Sequence, residues 1–135
     1  MIVLASKSPR RQELIRLITD DFTVASADAD ETLPHPMSPS DAVMYLSEIK
    51  ARPLADGKNT VIGADTVVAL EGSILGKPKD KDDAFRMLRS LSGKTHSVYT
   101  GVTIIKGEKA DTFFEKTDVE FYDLSDEEIA DYIST

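Results

Sequence analysis

The spacing of apolar residues along the chain predicts a protein built from both strands and helices. Short apolar runs predict strands at Ile2–Ala5 and Phe22–Ala25, and two alternating stretches at 95–105 and 112–122 predict a hairpin that turns at Lys106-Gly107. Apolar residues at helical spacing predict helices that begin near Pro9, cover 40–51 and 81–91, and open again after Ser125. These elements place the chain in the α/β class.

Residues that favour helix starts set the predicted boundaries. Ser8 is suited to cap the first helix and Pro9 to its first position, while Ser40 is expected to cap the second helix. Ser125 and Glu128 have the spacing of a capping box. The first helix is expected to bury one apolar face, made of Leu14, Ile15, Leu17 and Ile18.

A carboxylate and a hydroxyl interrupt the most apolar stretch, residues 60–78. Asp65 and Thr66 separate two runs of strand-forming residues, and an ionised aspartate in such a place must be paired, hydrogen-bonded or metal-bound. The alternative is that a strand ends here and Asp65 accepts backbone N–H bonds in a turn. Glu71-Gly72 forms a bend that could return Lys77 towards Asp65. A carboxylate beside an ammonium suits metal-assisted phosphate chemistry.

Two arginines lie in the first turn of the first predicted helix. Arg10 and Arg11 occupy positions where the helix dipole favours negative charge, so an anion supplied from outside would explain them. Backbone N–H groups and two guanidinium groups would together bind phosphate. The competing interpretation is a surface pairing with Glu13 or Asp20.

The acidic segment 28–32 is open to two interpretations as well. Three prolines follow within a few residues, so the carboxylates are expected on a loop, either as a solvated turn or as oxygen ligands for a cation such as Mg²⁺. The segment also matches the D-x-D-x-T motif of haloacid-dehalogenase-type phosphatases, in which Asp28 would be the nucleophile and Asp30 the acid and base. That phosphatase activity is the main alternative among enzymes.

Composition limits the classes of function. The 135 residues predict a single domain, and the absence of cysteine excludes disulfides and thiolate sites. A net charge of −8 argues against stable nucleic-acid binding, and no apolar stretch is long enough to span a membrane. A cytoplasmic protein is expected.

Several ordered motifs together resemble the Maf family of nucleoside triphosphate pyrophosphatases, also called septum formation inhibitor proteins. The resemblance covers the entire chain and rests on Leu4-Ala5-Ser6, Ser8-Pro9-Arg10-Arg11, Glu31, Lys50-Ala51, Gly63-Ala64-Asp65-Thr66, Gly76-Lys77-Pro78 and Leu91-Ser92-Gly93-Lys94-Thr95-His96. It implies an α/β fold similar to the inosine triphosphate pyrophosphatases, with a mixed twisted sheet, helices on its faces, a cleft between two lobes and a homodimer.

The implied reaction cleaves a nucleoside triphosphate into a monophosphate and pyrophosphate with a divalent metal, Mg²⁺ or Mn²⁺, as a house-cleaning activity on the nucleotide pool. By the resemblance, Asp65 is the proton acceptor and shares the metal with Glu31. The positions that match triphosphate contacts are Ser6, Arg11, Lys50 and Lys77, and those that match base choice are Arg10 and Thr66. Thr66 stands where the sister subgroup has glutamine, which favours dTTP and UTP as substrates.

One departure from the family pattern concerns the end of the sequence. Members continue into an Ala-Gly-Ala-Tyr-Gly-Ile-Gln-Gly stretch, which this sequence does not contain, so residues 1–135 are expected to be a Maf-like domain truncated at its C-terminal end. A third function also stays open, in which the protein binds a nucleotide or a partner without turnover.

Overall fold

A computed structural model describes residues 1–26, 31–76 and 78–134. The strands are β1 (Ile2–Ala5), β2 (Phe22–Ala25), β3 (Thr60–Leu70), β4 (Ser73–Leu75), β5 (Thr95–Lys106) and β6 (Lys109–Glu120). The helices are α1 (Pro9–Arg16), α2 (Pro39–Ala51), α3 (Lys81–Leu91) and α4 (Asp126–Ile133), and a 3₁₀ turn at Arg52–Leu54 follows α2.

The described strands form one mixed sheet, as predicted. Its order is β2-β1-β3-β5-β6, and β4 pairs with β3 outside that path. The strands β2, β1 and β3 run parallel, whereas β5 is antiparallel to both β3 and β6. Because α1 connects β1 to β2 and α2 lies between β2 and β3, the parallel half is built from strand-helix-strand units.

Helix α2 packs across one face of the sheet. Its residue Ala51 joins a buried cluster with Ala5, Val61 and Ile105, which come from β1, β3 and β5. These three strand residues point to the same face because side chains alternate along a strand. The cluster fixes where the last turn of α2 lies relative to β3.

Two glycines let α2 approach the sheet unusually closely. A Cβ atom at Gly63 would lie 2.5 Å from the backbone oxygen of Ser47, and one at Gly101 would collide with the backbone carbonyl of Val43. A buried hydrogen bond of 2.7 Å between the hydroxyls of Ser47 and Thr103 adds a polar contact at the same helix face. The separation between α2 and the two central strands is therefore set by residues that have no side chain.

The predicted boundaries were wrong in detail at the start of α2 and at the hairpin. Helix α2 begins at Pro39 and is capped by Ser38, whose hydroxyl accepts from the N–H of Asp41, so Ser40 is not the cap. The hairpin pairs Lys106 with Lys109, and Gly107 (φ +63°) begins its two-residue turn, so β6 starts earlier than predicted. Glycine at that position permits the tight connection.

The predicted apolar face of α1 is mostly exposed. Only Ile15 is buried, whereas Leu14, Leu17 and Ile18 are 56%, 82% and 84% exposed. The helix ends at Arg16, so Leu17 and Ile18 fall in the turn that follows it. A helix of eight residues makes little more than two turns and brings few side chains to the sheet.

Helices α3 and α4 pack against each other near the end of the chain. Arg89 donates to the backbone oxygen of Leu124 at 2.8 Å and also pairs with Asp126, while Ser125 and Glu128 form the predicted capping box. No helix among the described residues has the length and apolar character needed to cross a membrane.

Candidate active site

The candidate site lies where one edge of β3 is left without a strand partner. Strand β5 follows one edge from Thr60 to Ala69. On the other edge, β1 pairs with Thr60 to Gly63 and β4 pairs with Val68 to Leu70. Within the described part of the chain, residues 64–67 therefore have no strand beside them on that edge. We call this interruption the edge gap, and it contains Asp65 and Thr66.

The edge gap coincides with the carboxyl end of a parallel strand. β1 ends at Ala5, opposite Gly63, and its connection to α1 begins there. In open α/β sheets ligands bind outside the carboxyl ends of parallel strands, where the connecting loops diverge. The topology therefore favours this position as a candidate binding site.

On the α2 face of the gap, one lysine joins two carboxylates. The Nζ atom of Lys50 lies 2.6 Å from Oδ1 of Asp65 and 2.9 Å from Oε1 of Glu31. The side chains of Lys50 and Asp65 are 23% and 15% exposed, so this pair is largely removed from water. The prediction that Asp65 needs a charged or hydrogen-bonding partner is met by Lys50. The alternative of a strand end with a turn at Asp65 is wrong, because β3 is continuous from Thr60 to Leu70.

The environment of Lys50 favours its charged form. Burial alone would lower the pKa of Lys50, but hydrogen bonds and the negative charges of Asp65 and Glu31 outweigh it, and the pKa of Lys50 is raised. Lys50 lies in the last turn of α2, where the helix dipole also favours a cation. The group is therefore an ammonium ion at physiological pH.

We expect Lys50→Met to lower the free energy of unfolding by about 1–2 kcal/mol at neutral pH, because the largely buried carboxylate of Asp65 and the exposed one of Glu31 lose their common partner. A raised pKa in the folded protein means that the stabilisation is fully present below the ordinary lysine pKa, about 10.4, and is lost as pH rises through the raised value. Denaturant unfolding of wild type and variant should therefore differ by a constant amount from about pH 7 to pH 9, and the difference should shrink above about pH 10.5.

Lys58→Met is the matched control, since Lys58 is exposed in the turn before β3. It should change the free energy of unfolding by less than about 0.5 kcal/mol. A Lys50→Met protein as stable as wild type at neutral pH would show that the two ion pairs contribute nothing.

On the opposite face of the gap, Arg11 reaches Thr66. Its Nη2 donates to Oγ1 of Thr66 at 3.0 Å, and the Thr66 hydroxyl lies 3.1 Å from that of Thr100 on β5. This contact favours the interpretation that Arg11 points to the site over a pairing with Glu13 or Asp20. Because successive side chains on β3 point to opposite faces, the carboxylate of Asp65 lies on one side of the gap and the hydroxyl of Thr66 lies on the other.

The loop between β1 and α1 completes this side of the site. Oγ of Ser6 accepts from the N–H of Ser8 at 3.0 Å, and Oγ of Ser8 accepts from the N–H of Arg11 at 3.4 Å. Ser6 is buried, whereas Arg10 is exposed in the first turn of α1. The structure thus brings Ser6 and Arg11 to the end of β1, and leaves Arg10 at the surface beside them.

The donor set fits a divalent cation. The oxygens of Glu31 and Asp65 already converge on a single cationic atom, Nζ of Lys50, and carboxylate oxygens are the ligands that Mg²⁺ and Mn²⁺ favour. No group of three or more histidine, aspartate or glutamate side chains that could hold a metal occurs in residues 1–26, 31–76 and 78–134. Two carboxylates suit Mg²⁺, which usually completes its coordination with water and substrate phosphates.

An open cavity of about 590 Å³ adjoins the far end of β3. The described residues that line it are uncharged: Val68, Leu75, Gly76, Pro78, Ala84, Met87, Leu88, Leu91, Tyr132 and Ile133. A polyphosphate requires cationic partners, and among the described residues these lie at the edge gap.

Three residues predicted for chemistry lie outside the described residues. They are Lys77, expected to contact the triphosphate, and Asp28 and Asp30, on which the phosphatase alternative depends. The bend predicted at Glu71-Gly72 is present with positive φ at both residues, and it returns β4 antiparallel to β3.

Sequence reasoning missed Thr100. Nothing in the run Tyr99-Thr100-Gly101 sets this threonine apart from the others on β5 and β6. The signal is the strand register, which places Thr100 directly opposite Thr66. The neighbouring Gly101 is a weaker indication in the sequence that another element contacts this part of β5, because a glycine inside a strand indicates close approach of another backbone.

Comparison with known sequences gives one family and a consistent set of relatives. The family described as Maf-like protein matches residues 1–135. A dTTP/UTP pyrophosphatase of Bacillus cereus (strain G9842) is 48% identical over 136 residues, which cover 99% of this chain and 71% of the relative. A dTTP/UTP pyrophosphatase of Agathobacter rectalis is 50% identical over an alignment of 154 residues, which covers 99% of this chain and 75% of the relative.

Comparison with solved structures supports the fold. The structure of the Staphylococcus aureus Ham1 protein superposes with a TM-score of 0.58 over 88% of this chain and 70% of that chain, at 19% sequence identity. At this identity the similarity concerns the architecture alone, and it agrees with the mixed sheet and flanking helices described above.

Proposed function

The chain belongs to the Maf family, and from this premise we propose that it hydrolyses dTTP and UTP to the nucleoside monophosphate and pyrophosphate. The observation that carries the proposal is the edge gap, where Lys50 joins Asp65 and Glu31 on one face while Arg11 contacts Thr66 on the other. A site of this kind combines a carboxylate able to take a proton with cations able to hold phosphate.

In the proposed reaction, the carboxylate of Asp65 accepts a proton from the attacking water. The water oxygen bonds to the α-phosphorus, the bond from that phosphorus to the bridging oxygen breaks, and the electron pair leaves with pyrophosphate. A carboxylate held 2.6 Å from an ammonium group is fixed in position, which favours a productive alignment with the water.

The cationic groups bind and neutralise the triphosphate. Lys50 has three N–H donors, of which Asp65 and Glu31 use two, so one is left for a phosphate oxygen. Arg11, Ser6 and Lys77 are assigned further contacts with the triphosphate. Charge that builds on the departing pyrophosphate is best stabilised by such fixed donors.

A divalent cation, Mg²⁺ or Mn²⁺, would be held by Glu31 and Asp65. When bound, it supplies charge neutralisation between the acidic protein and the polyphosphate. Lys50 then donates to whichever oxygens of the carboxylates and phosphates remain, which its flexible stem permits.

Base choice is assigned to Arg10, which lies at the start of α1, and to Thr66, which lies in the edge gap.

The proposal further places the protein in the cytoplasm, where its nucleotide substrates are. There it would clear the nucleotide pool and have a link to septum formation. That residues 1–135 form a single domain and that the protein is a homodimer both stay predictions of the same proposal.

The test is a release assay with purified protein, Mg²⁺ or Mn²⁺, and a panel of dTTP, UTP, CTP and purine triphosphates, in which pyrophosphate and free phosphate are scored separately. We expect pyrophosphate and monophosphate in equal amounts from dTTP and UTP, with at least about tenfold lower kcat/KM for the other nucleotides.

Free phosphate without pyrophosphate would contradict the proposal and favour the phospho-aspartate mechanism through Asp28. Nucleotide binding without either product would favour a role as a binding protein. Running the assay with and without EDTA separates metal-dependent turnover from background hydrolysis.

A further inference from the structure

We propose that Thr103 is a positioning residue, which acts through Ser47 on α2 to hold the ammonium group of Lys50 at the edge gap. The inference rests on the function proposed above and adds two hydroxyl groups, one on α2 and one on β5, to the groups on which turnover depends. It starts from the hydrogen bond of 2.7 Å between Oγ of Ser47 and Oγ1 of Thr103, two residues that are fully buried.

This hydrogen bond lies where α2 crosses the sheet next to the site. Thr103 on β5 is directly opposite Gly63 on β3, and a Cβ at Gly63 would lie 2.5 Å from the backbone oxygen of Ser47. Asp65 follows Gly63 by two positions on β3, so it points to the same face of the sheet. Lys50 follows Ser47 by three positions on α2, which is less than one helical turn. The bond and the ion pair are therefore neighbours on the same helix and the same strand.

The glycines determine how closely α2 approaches the sheet, but not where the helix stops along the strands. Gly63 and Gly101 have no side chain with which α2 could interlock, and the apolar packing around Ala51 is non-directional. A hydrogen bond requires a defined distance and angle, so the bond to Ser47 opposes sliding and rotation of the helix. The position of the last turn of α2, which carries Lys50, follows from that contact.

The polarity of this group of hydroxyls follows from the carbonyl at its end. Ser47 donates to the backbone oxygen of Met44 at 2.9 Å, so its proton is used within α2 and it accepts from Thr103. Thr103 in turn accepts from the exposed hydroxyl of Thr112, which is 3.0 Å away and directly opposite on β6. Loss of the Thr103 hydroxyl would leave a buried oxygen of α2 without its donor. The helix is therefore favoured in the position where this bond forms.

Thr103→Val is the decisive change because it removes the hydroxyl and keeps the branched shape. The last turn of α2 can then shift, and Lys50 no longer fixes the carboxylate of Asp65 for the attacking water. We expect kcat for pyrophosphate release from dTTP to fall about tenfold. KM should stay within about threefold of wild type, because Ser6 and Arg11 belong to the connection between β1 and α1 and to α1 itself, which this change does not touch.

Three further variants separate positioning from packing. Thr103→Ser keeps the hydroxyl and should restore kcat to within about threefold of wild type, whereas a role in packing alone would make serine the more harmful change. Ser47→Ala removes the same hydrogen bond from the α2 side and should lower kcat by about the same factor as Thr103→Val. Thr117→Val, at an exposed threonine of β6, is the matched control and should leave kcat unchanged.

A double-mutant cycle on unfolding makes the result independent of turnover. In the Thr103→Val background the ion pair is already weakened, so Lys50→Met should raise the unfolding equilibrium constant by a factor about threefold smaller than it does in wild type. Chemical denaturation of the four proteins at neutral pH measures both factors. Equal factors, or a wild-type kcat for Thr103→Val, would overturn the inference while wild-type release of pyrophosphate kept the proposed function intact. If wild type released no pyrophosphate from any nucleotide, the proposed function would fail and the cycle alone would decide whether Thr103 positions Lys50.

Discussion

Asp65→Asn is expected to lower the rate of pyrophosphate release from dTTP about 100- to 10,000-fold, the range typical of a lost general base. Asparagine has the size of aspartate and can still accept from Lys50 through its amide oxygen, but it cannot take a proton from water. The change therefore removes the proposed proton acceptor with little change of shape. Release is measured at saturating nucleotide, and nucleotide binding is measured separately by calorimetry.

The control for this prediction is Asp111→Asn, which changes an exposed carboxylate on β6 by the same chemical step. It should release pyrophosphate at the wild-type rate. Circular dichroism and thermal unfolding should show Asp65→Asn folded, with nucleotide binding retained within about tenfold. An Asp65→Asn protein that turns over at the wild-type rate would remove Asp65 from the mechanism, whereas equal loss of binding and turnover would indicate a damaged site.

Gly101→Ala is expected to destabilise the fold more than any other single methyl group added at a described glycine. Its Cβ would collide with the backbone carbonyl of Val43, which belongs to α2 and cannot rotate away as a side chain can. Relief requires α2 to move off β3 and β5, which would also separate Lys50 from Asp65. We expect a loss of about 3 kcal/mol, which corresponds to a melting temperature about 10 °C lower.

Gly76→Ala is the matched control for stability, because a Cβ there would have no atom within 4 Å and the residue does not require positive φ. It should change the free energy of unfolding by less than about 1 kcal/mol. Chemical denaturation of both variants measures the difference. A Gly101→Ala protein with wild-type stability would mean that α2 can shift without loss, and the close approach would then not determine the geometry of the site.

The local chemistry of the chain was sufficient to predict most of the secondary structure. β1, β2 and α3 have the predicted bounds, and the Ser125 capping box is present, because each depends on residues within a few positions of one another. The errors have local causes too. Two serines and a proline at 38–40 offered alternative helix starts, and the apolar residues of α1 continue past the point where the helix ends.

The sequence also predicted the chemistry of the candidate site without its geometry. An aspartate within an apolar stretch has to be paired, so Asp65 could be selected from the pattern alone. Its partner could not, because Lys50 comes from another element, and a lysine in the last turn of a helix is also explained by the helix dipole. Which of Asp65 and Thr66 faces α2 was likewise unknown until the register was fixed.

By itself, then, the sequence determined the class of fold and the family and predicted the reactive residue types, because these depend on periodicity, motif order and the cost of burying charge. Only the tertiary structure decided that, within the described residues, β1 and β4 leave 64–67 without a strand partner on one edge. It also decided that Lys50 joins Glu31 to Asp65 and that Thr100 lies opposite Thr66. The physical reason is that strand register and helix approach depend on contacts between residues far apart in sequence, and two glycines, Gly63 and Gly101, set the distance at which those contacts form.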